Sequence, residues 1–184
     1  MSDTTHFGGR TLARSQALQV LFQAEATNRT VFEVLEGDYA LSQGPLDPFG
    51  EMLARGTDDM RSDLDAIIAE HSVNWSVSRM PKVDRNLLRL ALYEMLEVDE
   101  VAIPITIDES VELAKAYGSD ESSRFINGLL GKVARKLEAG DDVVAEAREA
   151  VRVRDDLKAA AQQPNDDYEY AGSEEPDDGE QDGE

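Results

Sequence analysis

The chain of 184 residues has no cysteine at all, which removes disulfide frameworks, thiolate zinc sites and cysteine nucleophiles together. It has no apolar run approaching the roughly 20 residues that cross a bilayer, and Met1–Gly9 lacks the basic-then-apolar order of a signal peptide. A cytoplasmic location is therefore expected. Basic residues are scarce, 18 against 39 acidic for a formal charge of −21. The excess is uneven: residues 163–184 hold ten acids and no Lys or Arg, and residues 1–162 hold 18 basic and 29 acidic side chains. A broad basic surface for nucleic acid is thus excluded, and any such site must be small or completed by a basic partner.

What is present is helical periodicity. Ala17, Leu18, Leu21 and Phe22 give the segment Thr11–Ala26 an apolar face. Thr30 and Glu33 have capping-box spacing before Val31, Val34 and Leu35. Asp47 and Pro48 start a third pattern that runs through Leu53, Met60, Leu64 and Ile68 to His71, read as one long helix weakened at Gly56. Trp75–Pro81 predicts a short helical turn ended by Pro81. The helix beginning near Asp84 carries Leu87, Leu88, Ala91, Leu92, Met95 and Leu96, is apolar nearly all round, and should be central. Val101–Ile107 reads as a loop entering a helix capped by Thr106 and Glu109. Gly118 is expected in the left-handed C′ position, Asp120 as a cap, and Phe125, Ile126, Leu129, Leu130, Val133 and Leu137 as the face of the last core helix, closed by Gly140.

These patterns define an all-α chain of about seven helices: a flexible start at 1–9, a helical domain at 10–140, an additional helix at 141–162 loosely held by a stripe of Val144, Ala147, Val151 and Leu157, and a disordered acidic tail at 163–184. Gly128 and Gly131 are read as allowing close helix packing. The segment Asn127–Lys132 ends in Gly-Lys, yet lacks the strand, glycine spacing and Ser or Thr of a phosphate loop.

No chemistry-bearing constellation emerges. Asp58–Asp59, Asp63–Asp65 and Asp108–Glu109 fall on helices or caps where solvated charge is ordinary, and His6 and His71 have no neighbouring second ligand. The chain is read as neither an enzyme nor a holder of metal or cofactor. Arg10 and Arg14 lie one turn apart on the first helix, where both side chains are expected to emerge at the mouth of its apolar face. On spacing alone they are either solvated charge or RNA contacts.

Four blocks then carry a resemblance: Arg14 with Ala17–Phe22, Arg79–Met95, Ile107–Lys115 and Phe125–Leu130. In this order they resemble the NusB family over about residues 10–138. The resemblance implies two packed helical bundles and a transcription antitermination factor without catalytic residues. Its partners would be the boxA RNA of ribosomal RNA leader transcripts and the basic ribosomal protein NusE, with other Nus factors and RNA polymerase engaged indirectly, and the chain itself monomeric or homodimeric. It places RNA contacts at Arg10, Arg14, Glu121, Arg124 and Phe125, and partner contacts at Asp84, Arg85 and Arg89. For Phe125 a core role and for Asp84 a helix cap stand as the alternatives.

Two other classes remain in view. One is a helical protein-interaction module with little RNA binding of its own. The other is the NusB-like part of a ribosomal RNA cytosine methyltransferase, which the missing cysteine and methyl-donor domain argue against.

Overall fold

A computed structural model describes residues 6–72 and 75–161. Among them the elements are all helical: α1 Gly9–Thr27, α2 Val31–Leu35, α3 Pro48–Asp59, α4 Arg61–His71, a 3₁₀ turn Val77–Arg79, α5 Lys82–Glu97, α6 Ile103–Tyr117, α7 Ser122–Ala139 and α8 Val143–Ala161. The expected acidic tail at 163–184 lies outside the described residues.

Helix starts follow side-chain chemistry where the sequence offers it. The Thr30 and Glu33 capping box of α2 is formed, and the Asp47 carboxylate accepts from the Phe49 amide at 2.8 Å ahead of Pro48. The expected long third helix is instead two. It breaks at Met60, whose φ of −93° and ψ of 8° leave the helical region, while Asp58 turns its carboxylate to the Val31 amide and to Arg61. Gly56 is not the break point. Its missing Cβ leaves the space that the Tyr93 ring occupies, so this glycine permits the close crossing of α3 and α5.

Helix α6 begins earlier than its β-branched start suggests. Pro104 sits in its first turn, a position that tolerates the missing amide. Thr106 is therefore fully buried inside the helix rather than capping it, and Glu109 is released to pair elsewhere. Gly118 is extended, φ −92° and ψ −167°, and not left-handed. Its smallness serves the Ser122 side chain, which lies where a Cβ would be. Asp120 does not cap α7: Glu121 holds that position without a side-chain bond, and the Ser122 hydroxyl accepts from the Ser119 amide at 2.8 Å. Gly140, at φ 83°, ends α7 as expected.

Helices α1, α2 and α3 pack as one group, and α4, α6 and α7 gather around α5, which also touches α1 and α3. The centre is α5, with Leu87, Leu88, Leu90, Ala91 and Leu92 all essentially inaccessible. Burying a side chain of this size contributes about 1.5–3 kcal/mol, so the two groups share one core through this helix. Helix α8 lies along α4, burying Val143 and Ala147.

Candidate nucleic-acid interface

The start of α1 holds the first candidate patch. Arg10 is exposed, lies over the Phe49 ring at 4.7 Å and meets Glu100 at 3.9 Å, a surface pairing that leaves the cation available to solvent. Arg14 is different, and its expected position at the surface is corrected. One helical turn deeper, its side chain is 4% exposed and faces a Glu94 that is 1% exposed. Its Nε donates to both Glu94 oxygens at 3.1 and 2.9 Å, its Nη2 to Oε1 at 2.5 Å, and its Nη1 to Glu109 at 3.3 Å. The reason is the neighbouring helices: α5 and α6 bring a carboxylate each to the α1 face on which Arg14 lies. Glu94, set among Ala91, Leu92 and Met95 on α5, was the signal for such a buried pair.

The second patch is the start of α7. Glu121 and Arg124 are exposed and pair with each other at 3.4 Å. Phe125 is half-buried and meets the Trp75 ring edge-on, centroids 5.6 Å apart at 62°. The ring packs against the core on one side and meets solvent on the other. Among the described residues no hydrogen bond, ion pair or ring contact links the Arg10 group to the Glu121–Phe125 group, so the RNA candidates form two patches.

The expected partner residues lie inside. Arg85 donates to the Val77 and Met80 carbonyls at 2.7 and 3.3 Å and to Glu25. Arg89 grips Asp65 at 2.7 and 2.8 Å and reaches Glu25 at 3.4 Å. Both are less than a tenth exposed, which corrects their placement at a partner surface: α1 and α4 supply the acids that fix them in the interior. Glu25 is the hub, also accepting from Asn86 at 2.5 Å. Its burial opposes ionisation, yet the hydrogen bonds of Arg85 and Asn86 and the charges of Arg85 and Arg89 outweigh it and hold the carboxyl below its ordinary pKa.

Asp84 is also buried, at 2% exposure, and does not take the cap position of α5, which belongs to Pro81. It stands in the first turn, where a carboxylate suits the helix dipole, and its Oδ1 has no hydrogen-bond partner among the described residues. The residue before it, Val83, lines an apolar groove of about 440 Å³ with Leu18, Gln19, Phe22, Ala40 and Tyr117. Phe22, 39% exposed in this groove, is a surface aromatic that the helical pattern of α1 assigned to its core face.

Among the described residues no group of three or more His, Cys, Asp or Glu side chains could hold a metal ion, and no helix is long and apolar enough to cross a membrane.

The described residues thus form a small all-helical fold of two groups around α5, with an exposed arginine at the start of α1 and Trp75 against Phe125 at the start of α7. The sequence profile of the NusB family matches residues 11–135. The transcription antitermination protein NusB of Bacillus subtilis is 39% identical over 129 residues, 70% of this chain and 97% of that protein. That of Desulfitobacterium hafniense is 43% identical over 145 residues, 74% of this chain and 97% of its own length. The crystal form of Thermotoga maritima NusB aligns with a TM-score of 0.61 at 33% identity, covering 71% of this chain and 94% of that one. A structure of antitermination factors NusB and NusE with dsRNA shares the fold at a TM-score of 0.55 and 23% identity, covering 68% of this chain and 96% of that one. The chain belongs to the NusB family. Helix α8 follows the matched region.

Proposed function

We propose that the protein is a cytoplasmic transcription antitermination factor that binds the boxA RNA of ribosomal RNA leader transcripts together with the ribosomal protein NusE. The observation that carries this reading is the match along nearly the whole length of relatives described as transcription antitermination proteins. The geometry adds a division of labour. With Arg14 tied to Glu94, Arg10 is the one arginine of α1 that reaches solvent, so RNA affinity depends on charge supplied by the basic partner.

We place the partner at the apolar groove lined by Leu18, Phe22, Val83 and Tyr117, which leaves Phe22 exposed. Arg10 and Phe125, with Glu121 and Arg124, remain the RNA contacts of this reading. The test is transcription through a terminator placed after a boxA leader, with the other Nus factors and NusE supplied. Read-through that rises when this protein is added supports the assignment, and unchanged read-through with and without it rejects it.

A further inference from the structure

Most cations of this acidic chain are neutralised in place: Arg14, Arg55, Arg61, Arg85, Arg89, Lys115, Lys136, Arg148 and Arg152 each sit against a carboxylate. Among the described residues six cations, Arg29, Arg79, Lys82, Lys132, Arg135 and Arg154, have no ion-pair partner, and two of them, Arg79 and Arg154, meet at one exposed aromatic side chain. Arg79 and Arg154 line a concavity of about 580 Å³ with Trp75, Ser76 and Ser78, and its lining contains no acidic residue. Lys132 reaches from α7 to the His71 carbonyl at 3.4 Å, at the foot of the same turn.

Trp75 is 42% exposed, although tryptophan is among the most costly side chains to leave in water. Its turn is fixed by the Ser72 hydroxyl, which donates to the Trp75 carbonyl at 2.9 Å, and its ring by the edge contact with Phe125. On α7 beyond Phe125, Gly128 was expected to serve helix packing. Instead it faces open space, with nothing within 4 Å of where its Cβ would be. An exposed helical glycine is destabilising relative to alanine, and no packing offsets it.

We infer that this face binds single-stranded RNA, with a base stacked on Trp75 and phosphates held by Arg79 and by Arg154 of α8. Aromatic stacking combined with unpaired cations is the arrangement that holds single strands independently of sequence, and charge complementarity selects a polyanion here over an apolar partner. The inference rests on the RNA-binding reading and extends it, because α8 lies outside the matched family region and lengthens the RNA path past the Phe125 patch.

Trp75 is the single tryptophan of the chain, so its emission reports this face directly. The full-length protein with NusE is titrated with fluorescein-labelled single-stranded boxA RNA, and anisotropy of the RNA is read beside tryptophan emission on unlabelled RNA, corrected for any contribution from NusE. Stacking quenches the emission over the same concentrations at which anisotropy rises. Trp75→Ala weakens binding about tenfold and Trp75→Phe retains most of it, while Arg154→Gln leaves melting unchanged and flattens the slope of log affinity against log salt by about 0.7.

Anisotropy that rises while emission and the Arg154→Gln salt slope stay unchanged overturns this inference and leaves the RNA-binding reading standing. An emission change on adding NusE alone, with none on adding RNA, makes the face a protein interface and also overturns it. No rise in anisotropy overturns both.

Discussion

The Arg14 guanidinium lies against the Glu94 carboxylate across 80 positions of sequence, with both side chains almost wholly removed from water. It links α1 to α5, the two helices through which the halves of the core meet. A buried pair of this kind is weak evidence of net stabilisation but is expensive to break on one side, since the remaining charge has no solvent.

Arg14→Ala is therefore expected to destabilise the fold by about 3–5 kcal/mol, in contrast to the small effect of removing a surface arginine. The double change Arg14→Met with Glu94→Leu should recover most of that loss, because neither charge is then left behind. Urea melts of the three proteins check this. Equal midpoints for wild type and Arg14→Ala would show that Arg14 is solvated.

Glu25 makes a prediction about acid. Its folded pKa lies below the ordinary 4.5, so the stabilisation it gives is complete above about pH 4.5 and is lost as pH falls through the lower folded value. Glu25→Gln should lower stability at pH 7 and flatten the acid limb of the stability curve. Melting temperatures from pH 7 to pH 3 measure it, and parallel curves for the two proteins would contradict the shift.

Phe22 tests the partner groove. As an exposed side chain on a folded helix, Phe22→Asp should leave melting nearly unchanged while weakening NusE binding at least fivefold, the effect of losing an interface anchor worth more than 1 kcal/mol. Calorimetric titration with NusE reads this. Wild-type affinity in Phe22→Asp would move the partner surface elsewhere.

Much of the fold was legible in the sequence because helix amphipathicity is local. The α5 pattern identified the central helix, and Thr30 with Glu33, Asp47 with Pro48, and Gly140 marked ends that the structure keeps. What misled were residues whose role depends on another helix. Gly56 looks like a weakness until the Tyr93 ring is placed beside it, and Thr106 looks like a cap until Pro104 begins α6 earlier. The site was less legible for the same reason. Arg14, Arg85 and Arg89 carry no sign in their own helices of the carboxylates of Glu94, Glu25 and Asp65 that fix them, and the exposed position of Trp75 cannot be read from spacing.

The most direct measurement is the affinity for boxA RNA and for a scrambled RNA of equal length, each with and without NusE, at one fixed salt concentration. The account predicts weak binding of both RNAs by the protein alone. With NusE present, binding of boxA should be at least tenfold tighter than alone and clearly tighter than binding of the scrambled strand. Equal affinity for boxA with and without NusE, or equal affinity for the two RNAs in its presence, would contradict it.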